Sequence, residues 1–534
     1  MSFYKDKEGC PRFAYKGFCA GWLVSMICTA VCLAEFRVNS SCTYNQADAA
    51  ITADANGGLF IVWSSYLADG SSNGICGQKF DSNTCKIGPE FVVNQQSDDN
   101  QRAPDVASDS NGNFIVVWEG PGGGDDETDI YGRRFDSNGQ WGDEFRINNT
   151  TEDDQISPSV AANANGDFIV VWESINQPEP DKRSICCQSY DRLGDTVGNE
   201  LVISDEPSVC RRPDVVLDST GEAIVIWIGS ESLHSIRVRH FAADGNEPTI
   251  FSKQVNDGLK FTSLTNPSIA IDDQDNYVIA WDGHPTGGDY DDIYLRIYHF
   301  SHMALHDQHI VNTEHNADQT NPSIAICDDN FIVTWEDDSE TESTQRNILG
   351  RRFVNTSQEP GNPTPLGDEF SVNTYTVDDQ KYPASLMKKT GDFITVWQSK
   401  GQDGSGYGIF AQDGPNILSA DIAIDGFVDL MDYSLLAGEW EKQEDNLAGD
   451  LVDDNIVNAN DLAAFCRQWL TPRWKCTKLD LNGDGKINLV DYCLWADNFL
   501  KKGPEQIPDI NKDGIIDWMD LQAISFNWAC DCGE

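Results

Sequence analysis

A tryptophan recurs at nearly constant spacing along the first three quarters of the chain. Each copy closes a phrase of proline, a short apolar run, an Asp/Asn-x-x-Gly turn and a second apolar run ending in the tryptophan. The first copy ends at Trp63, and the clear copies span 104–118, 158–172, 213–227, 267–281, 322–335 and 383–397. Successive tryptophans are 55, 54, 55, 54, 54 and 62 residues apart. Such a period predicts an array of one supersecondary unit, present seven times.

The second unit shows how each repeat is expected to fold. A short strand at 105–108 is followed by an Asp-Ser-Asn-Gly turn, because Asn and Gly favour tight turns. The unbroken apolar run 114–118 predicts a strand buried on both faces, and 130–135 and 144–148 predict two more. Four strands in each of seven units predict an all-β seven-bladed β-propeller over residues 35–413.

The outermost strand of a unit has the pattern Glu-Phe-x-Val/Ile-Asn, which is clear at 90–94, 144–148 and 369–373. The seventh unit ends without it, after a strand at 409–412, and the missing copy lies at 35–39. A ring closed by these two ends leaves no exposed sheet edge. This closure resembles that of WD40-type propellers, although the Trp-Asp and Gly-His marks are not the repeat signature here. An open β-solenoid is the alternative.

The repeated residues fit a structural role better than a chemical one. The tryptophans end the most buried strands, so we expect them to pack in the core, with sugar stacking as the alternative. Turns such as Asp109-x-Asn111-Gly112 are expected to be hairpin turns, with calcium binding as the alternative. The sequence has no sialidase Asp-box, Gly-x-Ser-x-Gly, His-Glu-x-x-His or Walker motif. We therefore predict no catalytic residue and no organic cofactor site.

Several acidic, Gly-rich loops are predicted to lie on one rim of the propeller. They are the stretches 122–129, 151–154, 287–292 and 337–344. Paired carboxylates in such loops could act as acid and base on a glycoside. We expect a solvated face, and the alternatives are cation or ligand binding and catalysis.

After a short linker at 414–420, the pattern changes to four loop–helix repeats over 421–534, grouped as 421–470 and 480–530. The third and fourth loops supply Asp480, Asn482, Asp484, Lys486, Asn488, Asp491, Asp509, Asn511, Asp513, Ile515, Asp517 and Asp520. The first and second loops supply Asp421, Asp425, Phe427, Asp429, Asp432, Asp450, Asp454, Ile456, Asn458 and Asp461.

This pattern of oxygen-bearing residues predicts Ca²⁺, which takes about six to eight oxygens on a flexible loop. Positions 1, 3, 5, 9 and 12 contribute side chains, position 7 contributes a backbone carbonyl, and position 6 favours glycine because the chain turns sharply. The first two loops lack a ligand at position 3, and Asn455 replaces the glycine of the second. We expect them to bind more weakly or to be metal-free turns.

Each loop is followed by one amphipathic helix that ends in an aromatic residue, and no long helix precedes it. These duplicated repeats, with Asp at position 12, resemble type I dockerin modules. The resemblance implies docking to a cohesin-like or other surface protein, as in secreted polysaccharide-degrading assemblies. Positions 10 and 11 often carry Ser and Thr in dockerins, but here they are Leu430-Met431, Ala459-Asn460, Leu489-Val490 and Trp518-Met519.

The bulk composition and the first residues predict an exported protein. The formal net charge of −50 argues against binding nucleic acid. Residues 1–34 combine a basic start with an uncharged stretch and predict a cleaved signal peptide, with a retained anchor helix as the alternative. No other stretch is long enough to span a membrane, so we expect no membrane insertion after cleavage.

The chain has 16 cysteines, four of them within residues 1–34. The twelve cysteines that remain are an even number, which in an exported protein suggests some disulfides, although the sequence does not give their pairing. The vicinal pair Cys186-Cys187 and the motif Cys530-x-Cys532 lack histidines or further cysteine pairs at zinc spacing. We interpret them as structural or free thiols.

Together these features favour a secreted or cell-surface, non-catalytic adhesion or assembly protein. Its propeller would recognise a glycan or a protein, and its calcium-binding tail would attach it to a partner. The first alternative is a dockerin-bearing enzyme of polysaccharide degradation with its site on the propeller rim or funnel. The second is a structural component of a surface layer.

Overall fold

The computed structural model divides the chain into two compact units, Ala34–Gly414 and a unit formed by Met1–Leu33 with Pro415–Glu534. The structure describes residues 2–5, 11–14 and 35–414, with gaps at 42–43, 123–126, 138–141, 177–181, 205–208, 232, 243–251, 258–259, 300–303, 305–306, 328–329, 340–344, 355–362 and 390. Near the N-terminus, outside the unit Ala34–Gly414, β1 (Ser2–Lys5) and β2 (Pro11–Ala14) pair in an antiparallel hairpin.

The unit Ala34–Gly414 is a seven-bladed β-propeller, which confirms the predicted fold. Its first strand is β3 (Phe36–Arg37). Blades 1 and 2 contain β4 (Gln46–Ala53), β5 (Leu59–Tyr66), β6 (Asn73–Phe80), β7 (Lys86–Val92), β8 (Arg102–Ser108), β9 (Phe114–Pro121), β10 (Thr128–Phe135) and β11 (Phe145–Arg146). Blades 3 and 4 contain β12 (Gln155–Ala162), β13 (Phe168–Ile175), β14 (Arg183–Tyr190), β15 (Thr196–Val202), β16 (Arg211–Leu217), β17 (Glu222–Glu231), β18 (Leu233–Ala242) and β19 (Lys253–Gln254).

The remaining blades follow the same plan, with one addition in blade 6. Blades 5 and 6 contain β20 (Phe261–Ile271), β21 (Tyr277–Pro285), β22 (Asp292–Tyr298), β23 (His309–Ile310), β24 (Gln319–Cys327), β25 (Asn330–Asp337), β26 (Asn347–Val354), β27 (Thr364–Pro365) and β28 (Phe370–Ser371). Blade 7 contains β29 (Gln380–Met387), β30 (Phe393–Lys400) and β31 (Tyr407–Gly414). We call the four strands of a blade A to D in sheet order. The extra strand β27 pairs with β26 in the longest of the seven units.

The ring is closed by the N-terminal strand, as the sequence predicts. Strand β3 is the fourth strand of blade 7, where Phe36 lies opposite Ala411 and Arg37 opposite Phe410. The backbone N–H of Val38 then donates to the carbonyl of Ile409 at 2.8 Å. Blade 7 is therefore built from both ends of the propeller sequence, and its outer edge is paired in the same way as in the other blades.

The seven repeated tryptophans form the core of the blades. Trp63, Trp118, Trp172, Trp227, Trp281, Trp335 and Trp397 all have less than 2% of their surface exposed. In three blades the indole Nε1–H donates to the glutamine that begins strand A of the same blade. These pairs are Trp172 with Gln155, Trp335 with Gln319, and Trp397 with Gln380. The packing role predicted for the tryptophans is confirmed, because no ring face is open to a sugar.

The asparagine of the outer-strand pattern fastens each D strand to strand C. Its side-chain oxygen accepts the backbone N–H of an isoleucine in strand C, as in Asn94 with Ile75 at 2.8 Å and Asn148 with Ile130 at 2.7 Å. The remaining blades repeat the bond with Asn39, Asn256, Asn312 and Asn373, and with Ser204 in blade 3. A D strand of only two paired residues is thus anchored by a buried side-chain bond.

The glutamate of the same pattern links neighbouring blades. The Glu90 carboxylate accepts the backbone N–H of Ser40, and that of Glu144 accepts the backbone N–H of Gln95 at 2.6 Å. Glu35, Glu200 and Glu369 make the equivalent bond to the preceding blade. Charge-assisted hydrogen bonds of this kind are the stronger class, so the pattern encodes contact between blades as well as a strand.

Within the described part of the chain, no helix has the length and hydropathy that a membrane crossing requires. Among its cysteines, Cys76 and Cys186 are buried free thiols and Cys85 is an exposed one. Burial raises the pKa of Cys76 and of Cys186 to about 12. For Cys186 this agrees with the interpretation of a structural thiol rather than a redox or metal site.

Candidate functional site

The seven A strands line a central channel. Each is the innermost strand of its blade, and each contacts the A strand of the next blade around the whole ring. The A strands begin and the B strands end at one rim of the propeller, which we call the upper rim. Connections from B to C and from D to the next A lie there too. All seven blades therefore contribute side chains to the upper end of the channel, which we call the channel mouth.

Every A strand contains a bulge at the channel mouth. At this bulge, strand A has one extra residue against strand B in all seven blades, and strand A of blade 5 has a second bulge nearer its start. The bulged residues, which we call the bulge ring, are Asp48, Ala103, Ser157, Arg212, Asn266, Asn321 and Tyr382, with φ between 47° and 55°. Positive φ is unfavourable for residues other than glycine, and bulges redirect side chains near binding sites. The repeat pattern does not predict this ring, although a proline follows six of its members.

Carboxylates at the end of strand B hold the bulge ring in place. In four blades an acid directly follows the repeated tryptophan: Glu119, Glu173, Asp282 and Glu336. All four are buried. Glu119 Oε1 accepts the backbone N–H of Ser157 at 2.7 Å, and Glu336 Oε1 accepts that of Tyr382 at 2.8 Å. Glu119 and Glu336 thus act as acceptors for strained backbone in the next blade.

Arginines balance the charge of three of these four carboxylates. Arg102 Nε lies 2.7 Å from Glu119 Oε2, and an Arg346 guanidinium nitrogen lies 2.7 Å from Glu336 Oε2. Arg183 pairs with Glu173 in the same way. Burial raises the pKa of Glu119, while Ser157 and Arg102 act in the opposite direction. A buried carboxylate with a cation and backbone donors is a satisfied structural group.

Asp282 in blade 5 is the exception among the four. Its side chain is 1% exposed, and Oδ2 accepts hydrogen bonds from Thr265 and Asn266. Within the described residues, Oδ1 is buried without a hydrogen-bond partner. Burial, together with the charge of Asp291, raises the pKa of Asp282 to about 7, against the effect of its two hydrogen bonds. A carboxyl group that titrates near neutral pH can donate or accept a proton in catalysis.

Two further aspartates lie deeper in the channel, on the A strands of blades 2 and 4. Asp105 Oδ2 accepts the backbone N–H of Val160 at 2.8 Å, and Asp214 Oδ2 accepts that of Ile269 at 3.0 Å. Ser159 lies between them and donates to Asp214 Oδ1 at 2.9 Å. Both aspartates are partly accessible from the channel, yet the surrounding protein desolvates them. Desolvation raises the pKa of both, for Asp105 to about 7.

The acidic loops predicted on the upper rim are partly structural. Asp129 accepts the side-chain N–H of Asn148 at 2.6 Å, and Asp337 accepts that of Gln319 at 2.6 Å. Asp292 contacts Asn312 in the same way. All three aspartates are buried. The expectation of a solvated face is therefore wrong at these positions, because their carboxylates fasten loops to the blade. The stretches 123–126 and 340–344 lie outside the described residues.

The Asp-x-Asn-Gly turns have the geometry of hairpin turns. Asp109 Oδ1 accepts the backbone N–H groups of Asn111 at 2.8 Å and Asn113 at 2.9 Å. The same two bonds recur at Asp54, at Asn163, at Asp218 and at Asp272. Since these oxygens face donors, they cap the turn. A search of the described residues finds no group of three or more His, Cys, Asp or Glu arranged to hold a metal ion.

The 22 predicted calcium ligands, from Asp421 to Asp520, lie outside the described residues, so their assignment stays a prediction. The family comparison reaches part of this region. Residues 448–500 match the dockerin type I domain. The match includes the second and third loops, which begin at Asp450 and Asp480. The dockerin resemblance is therefore confirmed for residues 448–500, and a dockerin domain indicates a protein of an extracellular assembly. The first and fourth loops lie outside the match, so the grouping 421–470 and 480–530 stays a prediction.

Other comparisons concern the propeller. No curated protein matches the chain. A protein of unknown function from Dyadobacter fermentans is similar at 9% identity, covering 71% of this chain and 97% of that one, with a TM-score of 0.43. A polysaccharide lyase of family PL25, an ulvan lyase, is 12% identical, covering 69% of this chain and 94% of that one, with a TM-score of 0.45. The propeller domain of the Trilobed protease from Pyrococcus furiosus is 10% identical, covering 70% of this chain and 94% of that one, with a TM-score of 0.40.

Proposed function

We propose that this protein is a non-catalytic recognition component of an extracellular assembly. Its propeller binds a glycan or a protein at the upper rim, and its calcium-loaded dockerin tail attaches it to a cohesin-like partner. The protein is expected to be secreted or displayed at a cell surface. Two observations together carry the proposal: a dockerin match in the tail, and a channel mouth whose carboxylates serve mainly as internal acceptors.

The hydrogen bonds of the channel mouth support a binding role over a catalytic one. Hydrolysis of a glycoside requires two carboxyl groups that reach the same bond, one as acid and one as base or nucleophile. Glu119, Glu173 and Glu336 are buried, paired with arginine and bonded to backbone N–H groups. Freeing one of them would leave an arginine without its ion pair and a strained backbone N–H without its acceptor, which is unfavourable.

The proposal is tested with the whole exported chain, in calcium, against insoluble and soluble polysaccharides. Retention and the release of reducing ends are measured in the same samples. Retention without release supports a recognition module. Release of sugar that depends on the channel-mouth carboxylates overturns the non-catalytic function. If neither retention nor release of sugar is seen, the proposed binding of a glycan is wrong, and the partner of the propeller has to be a protein.

The tail is tested separately through its partner. A cohesin module immobilised on beads should retain the chain in calcium and release it in EDTA, because dockerin loops bind as folded, metal-loaded units. The unusual pairs at loop positions 10 and 11, such as Leu489-Val490, predict that a cohesin chosen for Ser-Thr dockerins binds poorly. Calcium-independent retention on every cohesin tried would contradict this function of the tail.

A polysaccharide-degrading enzyme is the second candidate, and Asp282 is the observation that favours it. Its unpartnered oxygen and its pKa of about 7 suit a general acid. Under this alternative, Asp282→Asn lowers the rate of any sugar release roughly 100-fold or more. Asp289→Asn, an exposed aspartate of the same blade, is the matched control. Equal release by both variants rules out Asp282 as the acid.

A further inference from the structure

The upper rim carries a pair of exposed tyrosines where blades 7 and 1 meet. Tyr44 precedes strand A of blade 1 and is 52% exposed, and Tyr66 ends strand B and is 44% exposed. Their rings contact each other edge to face, with centroids 5.4 Å apart. Leu67 follows Tyr66 and is exposed as well. We call these three residues the tyrosine platform.

The backbone under the platform is strained. Tyr44 has a φ of 70° and Leu67 a φ of 61°. The position four residues before the bulge also has a positive φ in blades 2, 3 and 7, so the fold sets this conformation, and blade 1 differs in placing a tyrosine there. A positive φ is rare for such a large side chain. Neighbouring bonds fix this conformation, because the Tyr66 N–H donates to the Asn45 carbonyl at 3.0 Å and the Leu67 N–H donates to Ser72 at 2.6 Å. The fold therefore holds apolar side chains in solvent at the cost of an unfavourable backbone.

The platform is built across the closure of the ring. The side-chain oxygen of Asn45, next to Tyr44, accepts the backbone N–H of Tyr407 in blade 7 at 3.1 Å. The hydroxyl of Tyr407 in turn donates to Asp379 at 3.3 Å. Asp379 also pairs with Lys381, at 3.0 Å. Aromatic rings thus lie beside a hydrogen-bonded set of carboxylate, ammonium and hydroxyl groups.

A second exposed tyrosine lies nearer the channel. Tyr382 belongs to the bulge ring of blade 7, is 48% exposed and has a φ of 52°. Its backbone N–H is held by Glu336, which fixes the strained conformation. Blades 7 and 1 therefore present large apolar side chains both at the rim and at the channel mouth. Among the described residues, the only other exposed tyrosine on this rim is Tyr290, in blade 5.

We propose that the tyrosine platform and Tyr382 form a binding track for a neutral polysaccharide. A pyranose has an apolar face of C–H groups that stacks on aromatic rings and an edge of hydroxyls that hydrogen-bonds to carboxylates and amides. Tyrosine suits such a ligand, because it combines a large apolar ring with a polar end. This inference rests on the proposed recognition function and adds the position of the site and the ligand class.

The charge of the protein decides between neutral and anionic glycans. The chain has a formal net charge of −50, and this field repels polyanions. Near the platform, the ammonium of Lys381 is paired with Asp379, and that of Lys400 lies 3.8 Å from Asp378. Charged uronate or sulfate groups would have to compete with these carboxylates. A neutral chain meets no such penalty.

The ligand class is tested with two soluble polymers that share a backbone. Hydroxyethylcellulose is neutral and carboxymethylcellulose is anionic, and each is cast into a native gel through which the full chain migrates in calcium. Amorphous cellulose and xylan provide pull-down measurements. The proposal predicts slower migration in the neutral polymer and little change in the anionic one. Tighter binding of the anionic polymer would overturn the assignment to neutral glycans.

The site is tested with tyrosine variants of the full chain. Tyr44→Ala combined with Tyr66→Ala should weaken retention about tenfold or more, since central aromatic contacts commonly contribute that much to affinity. Tyr382→Ala should weaken it too. Phenylalanine at positions 44 and 66 should keep most of the retention, because the stacking face remains. Tyr290→Ala, on the same rim, and Leu193→Ala, in the opposite C-to-D turn of blade 3, are the controls.

The outcomes separate this inference from the proposed function. If the wild-type chain binds and the double alanine variant, shown to be folded by its melting curve, binds equally well, then the platform is not the site and the recognition function stands. If Tyr290→Ala weakens binding as much as the double variant, the track is misplaced. If the wild-type chain binds none of the four polymers, both the glycan function and the platform fail together.

Discussion

The Glu35 carboxylate accepts a hydrogen bond from the backbone N–H of Thr374 at 2.7 Å, across 339 residues of sequence. It also accepts the Thr374 hydroxyl at 2.7 Å and the N–H of Tyr375 at 3.2 Å. Glu35 directly precedes β3, the strand that closes blade 7, and Thr374 lies three residues beyond β28, the D strand of blade 6. The side-chain N–H of Gln402, in the B-to-C connection of blade 7, donates to the other carboxylate oxygen, so one carboxylate fastens the N-terminal strand to a neighbouring blade as well as to its own.

Removal of this carboxylate should destabilise the closed ring. Glu35→Ala deletes four hydrogen bonds to a charged group, and we expect the free energy of unfolding to fall by about 1–3 kcal/mol. Because β3 pairs through only two residues, the variant should also expose the amide of Val38, which bonds to Ile409. Urea unfolding and hydrogen exchange measure the two effects.

Glu144→Ala is the matched control for this prediction. Glu144 makes the two equivalent backbone bonds between blades 2 and 1, to the N–H groups of Gln95 and Gln96, which is two bonds fewer than Glu35 makes. Its loss should lower stability by less than the loss of Glu35 and should not open the N-terminal strand, because the chain is continuous there. Faster exchange of Val38 in both variants would show that the closure is not specifically held by Glu35.

The periodic features of this fold could be predicted from the sequence. Tryptophan spacing gives the number of blades, the unbroken apolar runs give the B strands, and the displaced copy at 35–39 gives the closure. These predictions succeed because burial and strand pairing repeat in every unit. The seven buried tryptophans and the pairing of β3 with β31 confirm them.

The features that differ between blades could not be predicted in the same way. The bonds of Glu119 and Glu336 to backbone N–H groups depend on how one blade packs on the next, which no local pattern records. Asp282 reads like the other acids that follow a tryptophan, yet its environment differs. Tyr44 of the tyrosine platform is not part of the repeated sequence pattern, so the repeats do not indicate it. Binding sites on a repeat fold arise at such exceptions.

The stability of the propeller should depend on the protonation of Asp105. Desolvation raises its pKa from 3.8 to about 7 in the folded chain, so the folded state binds the proton more tightly than the unfolded state. The stabilising contribution of this proton is complete below the unfolded pKa and is lost as pH rises through about 7. Relative to Asp105→Asn, the wild-type chain should therefore lose stability between about pH 4 and pH 7.

This pH dependence is measured as the difference between the wild-type and Asp105→Asn unfolding free energies at several pH values. Asp98→Asn removes one carboxylate from an exposed loop and controls for net charge. A wild-type-minus-Asn difference that stays constant across this range would contradict a raised pKa. A difference that increases with pH would reverse the sign of the linkage.

Thiol reactivity should separate the exposed cysteine from the buried ones. Cys85 is exposed, whereas Cys76 and Cys186 are buried and have a pKa of about 12, so little thiolate is present at neutral pH. With an aromatic disulfide reagent, Cys85→Ser should remove one fast-reacting equivalent from the native chain. Cys186→Ser should change only the number of thiols that react after unfolding. Rapid loss of an equivalent in Cys186→Ser would show that this strand opens readily.

Calcium binding by the tail should be concentrated in its third and fourth loops. These loops have a ligand at every position, whereas the first and second lack one at position 3. Asp480→Ala with Asp509→Ala should abolish the tight sites seen by calorimetry, and Asp421→Ala with Asp450→Ala should leave them in place. In the full chain, calcium at 100 times its Kd should stabilise the tail by about 2.7 kcal/mol for each occupied site. If EDTA shifts no melting transition of the wild-type chain, the loops are acidic turns without metal, and attachment through the tail cannot depend on calcium.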